Sequence, residues 1–208
     1  MTASPSLPTP KPVVTIYGTY GAGAKQVGRT VAHHLGLPYF GPAFSSEAIE
    51  GGAEDVRQQE AAFLRKMIAV MADAFGVSDI SDDSVERHRQ ELIEENRRQV
   101  QGCAHLGGVM VGRHGALLLA DRPNTLHVLL TGTVEDRIER AAAEAGITRE
   151  HAAGRVERED HVRADMAIAL FDWDPRIPDH YDLVVRTSRI PLDGVVDAIL
   201  AALRAVMA

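Results

Sequence analysis

The chain has 208 residues, of which 45% are hydrophobic and 25% are charged. This length suffices for one α/β domain with a sizeable core, and the globular composition excludes wholesale disorder. The formal net charge of −7 lacks the basic excess that is typical of a general nucleic-acid binder, so nucleic acid is not an expected partner.

The N-terminal segment, residues 1–12, contains four prolines and lacks the apolar stretch of a signal peptide. It predicts a disordered tail that precedes a single domain over residues 13–208. No apolar run approaches the roughly 20 residues that span a bilayer, so we expect a cytoplasmic protein with no membrane partner. The single cysteine, Cys103, cannot form a disulfide within the chain.

Short apolar runs rich in β-branched residues predict five strands, over residues 13–17, 38–40, 108–112, 126–130 and 182–186. Segments with helical periodicity lie between them, over residues 28–35, 56–77, 84–103, 135–145, 148–170 and 192–206. This alternation predicts a three-layer α/β fold with a mostly parallel five-stranded sheet and helices on both faces. Ligands are then expected at the carboxyl edge of the sheet.

The helices predicted over residues 56–77 and 84–103 each carry one apolar stripe among many charges. A helix pair that covers part of the core explains both stripes. A contact with a second copy of the chain explains them as well, so a homodimer stays open.

Glycines are concentrated directly after the first strand, at Gly18, Gly21 and Gly23. Glycines let a backbone curl so that its amides point inward, and the positive end of the following helix adds to the attraction for anions. The position between a strand and a helix predicts phosphate binding. The predicted phosphate-binding residues are Gly18, Tyr20, Gly21, Ala22, Gly23, Ala24, Lys25 and Gln26.

This loop departs from the usual G-x-x-x-x-G-K-[ST] pattern. Ala24 stands where the lysine is expected, and Lys25 comes one residue late. Gln26 stands where we expect the hydroxyl that binds Mg²⁺. A shift of one residue rotates a side chain by about 100° around a helix, although a lysine is long enough to reach a phosphate from there.

The loop over residues 21–28 resembles the altered phosphate loop of the cytidylate-kinase-like family, which carries a small, a basic and an acidic residue in place of G-K-[ST]. Further similar segments follow in the family's order, at residues 109–113, 121–124, 135–140, 159–165, 181–183 and 187–188. The resemblance spans about residues 13–203. It implies the P-loop nucleoside-monophosphate-kinase fold, with a helical acceptor-side insertion over about 42–106 and a lid over about 148–178.

The resemblance also implies that the chain binds ATP or another nucleoside triphosphate with Mg²⁺ and transfers the γ-phosphoryl group to a nucleoside monophosphate such as CMP. The implied catalytic residues are Lys25, Arg113, Arg158 and Arg163. The implied acceptor contacts come from Arg113, His114, Tyr39 and Phe44. An arginine suits the acceptor site because its planar guanidinium pairs with phosphate oxygens in two places.

The implied lid residues are Arg155, Arg158, Asp160 and Arg163, all on the helix predicted over residues 148–170. Lid arginines would neutralise charge during phosphoryl transfer and exclude water. Acidic residues interleave with them, so a solvated helix laced with ion pairs explains the same pattern. Arg137 and Arg140 match positions beside the nucleotide base, and ordinary roles on a helix surface fit them equally well.

Several positions depart from the family in ways that bear on activity. His114 follows Arg113 where cytidylate kinases carry an aspartate, and Val111 and Gly41-Pro42 stand where acidic residues are expected. No protein metal site is predicted, since Glu47, Asp160 and Asp165 are Mg²⁺ candidates by residue type alone. Two alternatives therefore stay open: a catalytically impaired nucleotide-binding sensor, and a P-loop kinase that phosphorylates a small acceptor other than a nucleotide.

Overall fold

Five strands form one sheet in the computed structural model, which describes residues 10–43, 58–76 and 83–208. They are β1 (Val13–Gly18), β2 (Tyr39–Phe40), β3 (Gly108–Val111), β4 (Thr125–Thr131) and β5 (Leu183–Arg186). Their order is β2-β3-β1-β4-β5, and every neighbouring pair is parallel. The predicted five-stranded parallel sheet is confirmed.

Seven α-helices connect and cover these strands in the described part of the chain. They are α1 (Ala24–Leu35), α2 (Gln58–Ala74), α3 (Asp83–Leu106), α4 (Gly115–Leu118), α5 (Val134–Ala145), α6 (Arg149–Phe171) and α7 (Leu192–Val206). The helix pair predicted between the second and third strands is present as α2 and α3. The four-residue helix α4 was not predicted, because it is too short to show a helical periodicity in the sequence.

Helices cover both faces of the sheet, so the predicted three-layer fold is confirmed. Alternate residues of a strand point to opposite faces. Val14 and Ile16 of β1 accordingly share a buried cluster with α1 and α7, whereas Val13 packs with Val100 and Ala104 of α3. The helix α6 packs at its start against α5 and at its end against α2 and α3.

The start of the described chain is attached to the body of the domain. Asn124 donates a side-chain hydrogen bond to the Pro10 carbonyl, and Arg122 donates to the carbonyls of Lys11 and Ala104. Pro10 and Lys11 make these contacts although they fall within the predicted disordered tail. Residues 1–9 lie outside the described part. None of the described helices combines the length and the apolar character that crossing a membrane requires.

The helix α1 begins at Ala24, four residues earlier than predicted. Gly23 adopts a left-handed conformation (φ 84°) that ends the preceding loop, and its carbonyl accepts the amide of Val27. Lys25 therefore lies in the first turn of α1. One turn later, Gly28 lets the helix approach the sheet closely, since a Cβ there would lie 2.8 Å from Val111 and 3.0 Å from the Tyr39 ring.

We expect Gly28→Ala to lower the free energy of unfolding by about 1–2 kcal/mol, because the added methyl group must displace Val111 and Tyr39. Gly154 of α6 provides a matched control, since it is exposed and a Cβ there would meet no atom within 4 Å. Gly154→Ala should instead stabilise the protein by about 0.5–1 kcal/mol through helix propensity. Denaturant unfolding measures both; a stabilising Gly28→Ala would contradict this packing.

Candidate active site

The glycine-rich loop runs from the end of β1 to the start of α1. The Thr19 amide donates to the Leu130 carbonyl at 3.1 Å, which continues the sheet, and the Ala22 amide closes a turn on the Thr19 carbonyl at 2.9 Å. Gly21 (φ 78°) and Gly23 (φ 84°) take left-handed conformations that favour glycine. The loop therefore curls over the N-terminus of α1, as a phosphate-binding loop does.

One assignment within the loop needs correction. Aligned on Gly18 and Gly23, the lysine position of the usual pattern falls on Ala24 and the hydroxyl position falls on Lys25, not on Gln26. Lys25 and Gln26 are both exposed in the first turn of α1. Lys25 lines a cavity of about 1000 Å³ that lies beside the loop, whereas Gln26 does not line it.

Side chains from α5 and α6 hold the outer side of the loop. The Tyr20 amide donates to Asp160 Oδ1 at 2.8 Å, and Arg137 Nη1 donates to the Tyr20 carbonyl at 3.0 Å and to Asp160 Oδ2 at 2.6 Å. Arg140 Nη1 donates to the Gly21 carbonyl at 2.7 Å. These contacts bind the loop to both helices through its own peptide groups.

The two arginines of α5 thus support the phosphate loop. Arg137 is buried, with 6% of its surface exposed, so an ordinary helix-surface role is wrong for it. The backbone of Arg137 also lies against Gly21, where a Cβ would fall 2.2 Å from the Arg137 carbonyl oxygen. Only glycine fits at that position.

A cavity of about 1000 Å³ opens at the carboxyl ends of β1 and β3. The predicted site residues that line it are Gly18, Lys25, Tyr39, Arg113, His114 and Arg163. The other predicted loop residues, together with Arg155, Arg158 and Asp160, do not line it. Phe44 and Glu47 lie outside the described residues.

Three consecutive left-handed residues form the turn after β3. Gly112 (φ 71°) is followed by Arg113 (φ 63°) and His114 (φ 55°), and the Gly112 amide donates to the Ile16 carbonyl at 2.8 Å. Left-handed conformations of residues other than glycine cost on the order of 1 kcal/mol each and concentrate at functional sites. The strained turn directs both Arg113 and His114 to the cavity wall.

Contacts with protein oxygens already engage the Arg113 guanidinium. Its Nε donates to the Gly41 carbonyl at 2.6 Å, Nη2 donates to the Pro42 carbonyl at 3.4 Å, and Nη1 donates to the Gln99 side chain. Burial lowers the pKa of Arg113 from its ordinary value. Because a guanidinium has five N–H groups, these three contacts orient the head group and leave donors for a ligand.

His114 is a neutral side chain in this wall. Asn96 Nδ2 lies 2.5 Å from its Nδ1, the Phe171 ring packs at a centroid distance of 4.8 Å, and burial lowers the pKa of His114 to about 4. With the Asn96 amide donating to Nδ1, the ring carries its proton on Nε2. Cytidylate kinases carry a negatively charged aspartate at this position. That charge is therefore absent here.

The predicted lid helix, α6, is packed into the domain. Arg155 has 5% of its surface exposed and Glu159 has none, so the alternative of a fully solvated helix is wrong for these two positions. Arg163 donates two hydrogen bonds to the buried Glu159 carboxylate, at 2.9 and 2.6 Å, and also lines the cavity. Arg158 is half-buried. That any of these arginines closes over a nucleotide stays a prediction.

Several cavity residues were missed by sequence reasoning. They are Arg29, Lys66, Asn96, Arg98, Gln99, Trp173 and Tyr181. Arg29 carried a detectable signal, because it lies four residues after Lys25 and hence on the same side of α1. The others come from distant elements, and their positions depend on how α2, α3 and the segment after α6 pack.

The described residues do not fit the Mg²⁺ site that the resemblance implies. Lys25 takes the hydroxyl position, and no three His, Cys, Asp or Glu side chains of residues 10–43, 58–76 and 83–208 form a metal-binding group. Among the described residues, only two carboxylates line the cavity, Glu91 and Glu95, and each pairs with a cation. Mg²⁺ prefers carboxylate oxygens among its protein ligands, and both carboxylates of the described wall are already engaged.

Known proteins resemble this chain along most of its length. The model of the cytidylate kinase-like family matches residues 13–189. The chain belongs to the cytidylate kinase-like family. The cytidylate kinase of Pyrococcus horikoshii is 26% identical over 199 residues, which cover 95% of this chain and 91% of that protein.

Two other matches were found. The uronate isomerase of Corynebacterium glutamicum is 32% identical over 129 residues, which cover 62% of this chain but only 24% of that much longer protein. The crystal structure of an uncharacterized protein from Eubacterium ventriosum matches with a TM-score of 0.65 at 17% identity, covering 94% of this chain and 99% of that one. The latter likeness supports the fold alone.

We expect Asp160→Ala to destabilise this cytidylate kinase-like protein by about 2 kcal/mol or more. The change leaves Arg137, whose side chain is 8% exposed, as a buried charge without its carboxylate partner. Glu157→Ala, an exposed change on the same helix, should alter stability by less than about 0.5 kcal/mol. Denaturant unfolding of both variants checks this; equal losses would show that the Arg137–Asp160 pair does not stabilise the loop.

The pH dependence of stability should report on His114. Its folded pKa of about 4 lies below the ordinary 6.5, so the unfolded chain takes up a proton at higher pH than the folded chain does. The neutral, buried His114 therefore contributes fully to the free energy of unfolding above about pH 6.5. As the pH falls from there towards 4, the free energy of unfolding decreases by about 1–3 kcal/mol.

His114→Asn removes this titration while keeping a residue that tolerates a left-handed conformation. Unfolding free energies measured across this pH range should fall less steeply for His114→Asn than for the wild type. His34→Asn, an exposed change, should leave the wild-type slope. Parallel slopes for wild type and His114→Asn would contradict the burial of a neutral His114.

Proposed function

We propose that this chain binds a nucleoside triphosphate at the loop over residues 18–25 and transfers the γ-phosphoryl group to a small acceptor. The observation that carries the proposal is the shared cavity. Residues of the phosphate loop, the strained turn after β3 and the helix α6 all line one space of about 1000 Å³. A donor and an acceptor could therefore meet there without surrounding water.

Each element has a distinct chemical role in this proposal. The loop amides and Lys25 hold the donor phosphates. Arg113, oriented by Gly41 and Gln99, binds the acceptor anion through its remaining donors. Arg163, fixed by Glu159, neutralises charge that develops on the transferring group. An acceptor oxygen then forms a bond to the γ-phosphorus as the bond to the leaving nucleoside diphosphate breaks.

A nucleoside monophosphate such as CMP is the first candidate acceptor. The cytidylate kinase of Pyrococcus horikoshii aligns along nearly the whole chain, and the cavity is large enough for a nucleotide. The base would contact the neutral His114 rather than an acidic side chain. This difference gives a reason to assay other pyrimidine nucleotides beside CMP.

A sugar acid is the second candidate acceptor. The relative from Corynebacterium glutamicum bears the name uronate isomerase, and uronates carry a carboxylate together with several hydroxyl groups. Arg113, Asn96 and Gln99 line the same part of the cavity and suit such a ligand. In this case a sugar hydroxyl oxygen forms the bond to the γ-phosphorus as the bond to the nucleoside diphosphate breaks, and the hydroxyl proton passes to solvent.

The test is phosphoryl transfer from ATP and GTP across a panel of nucleoside monophosphates and uronates. We expect saturable turnover with members of one acceptor class. Lys25→Ala and Arg113→Ala should each lower kcat/KM by about tenfold or more, since each removes a charged contact to a phosphate or acceptor anion.

Lys11→Ala is the control, because Lys11 is exposed and is not among the residues that line the cavity. It should keep wild-type turnover. Nucleotide binding without turnover on any acceptor would contradict the kinase proposal and favour the nucleotide-binding sensor.

A further inference from the structure

Lys25 lies at a position of the loop where a lysine is unusual for a protein that binds a polyphosphate. Lys25 occupies the place where a P-loop uses a serine or threonine hydroxyl to bind Mg²⁺. It lies in the first turn of α1, is exposed, and lines the cavity. It forms no ion pair with a described residue. Its ammonium group is thus available to the phosphate oxygens that a metal ion would otherwise contact.

Further cations surround the same space. Arg29 follows Lys25 by one helical turn, and its guanidinium lies over the Tyr39 ring at 5.5 Å. In total, six cationic side chains among the described residues line the cavity, namely Lys25, Arg29, Lys66, Arg98, Arg113 and Arg163. The two lining carboxylates pair with Lys66 and Arg98, which leaves a surplus of positive charge.

Asp160, the acidic residue that contacts the loop in the described part of the chain, is committed to other partners. Asp160 accepts hydrogen bonds from the Tyr20 amide and from Arg137, and it does not line the cavity. Val111, at the end of β3, has no group that binds a metal. The described wall therefore attracts anions and repels divalent cations, since like charges a few ångströms apart raise the energy of both.

We propose that this chain binds its nucleoside triphosphate as the metal-free polyanion, with the Lys25 ammonium in place of a protein-held Mg²⁺. The inference rests on the proposed function, because it concerns the ligand of the same loop. Mg²⁺ and the lysine compete for the same phosphate oxygens. Complexing the nucleotide with Mg²⁺ should consequently weaken binding or leave it unchanged, whereas a hydroxyl at this position would make Mg²⁺ favourable.

The experiment is calorimetric titration with the non-hydrolysable triphosphates AMP-PNP and GMP-PNP, once in EDTA and once in excess Mg²⁺. The fluorescence of Trp173, the only tryptophan of the chain, gives a second readout because its side chain lines the cavity. For the wild type we expect binding in EDTA that is as tight as, or tighter than, binding in Mg²⁺.

Lys25→Thr supplies the missing hydroxyl and removes the charge. Its binding in EDTA should weaken by about tenfold, and Mg²⁺ should recover most of that loss. The double change Ala24→Lys with Lys25→Thr rebuilds the usual pattern and should also bind more tightly with Mg²⁺. Lys11→Thr is the matched lysine control and should behave as the wild type does.

Two outcomes would overturn the inference and separate it from the proposed function. Wild-type binding that is about tenfold tighter in Mg²⁺ than in EDTA contradicts the inference but leaves nucleotide binding intact. The same holds if Lys25→Thr gains no dependence on Mg²⁺. Absence of wild-type binding under both conditions contradicts the proposed function itself.

Discussion

The ion pair between the buried Arg137 and the half-buried Asp160 holds the glycine-rich loop in its curled form. The carboxylate accepts the Tyr20 amide, and the guanidinium donates to the Tyr20 carbonyl and to the carboxylate. Both backbone polar groups of Tyr20, its amide and its carbonyl, are therefore satisfied by side chains from α5 and α6. Because Gly21 lies directly against the backbone of Arg137, the loop has little room to shift. The orientation of Lys25 at the start of α1 follows from this constraint.

A second constraint acts on the opposite wall of the cavity. The turn after β3 keeps Arg113 and His114 in left-handed conformations, and contacts with Gly41, Gln99 and Asn96 hold their side chains. A strained turn persists when the surrounding structure determines it more strongly than local preference does. This wall is thus preorganised in the same sense as the glycine-rich loop, and both face one space in which the cations among the described lining residues outnumber the carboxylates.

The sheet was largely predictable because buried parallel strands appear in sequence as short runs of β-branched residues between helices. The curled loop between β1 and α1 was predictable for a similar reason, since Gly18, Gly21 and Gly23 lie directly after the first strand; its binding of phosphate stays a prediction. The role of Arg137 was not predictable. Its position beside the loop depends on how α5 packs, which the local pattern of an amphipathic helix does not specify.

Other parts of the site also depend on packing that the local sequence pattern does not specify. The acceptor role predicted for Arg113 came from the family resemblance, and its contacts with Gly41 and Gln99 join residues far apart in sequence. The alternative of a solvated helix is wrong at Glu159, because interleaved charges do not reveal which of them become buried. The hydroxyl position of the loop was misassigned to Gln26 by counting from the displaced lysine rather than from the glycines.

We propose that one cavity holds a donor and an acceptor at the same time, between the glycine-rich loop and the turn after β3. A crystal structure with a bisubstrate analogue, in which adenosine and cytidine are joined by a polyphosphate, tests it most directly. The account predicts a polyphosphate that runs from the loop amides and Lys25 to Arg113, with Arg163 beside it. An analogue bound elsewhere, or bound by the loop with its second nucleoside outside the cavity, would contradict the account.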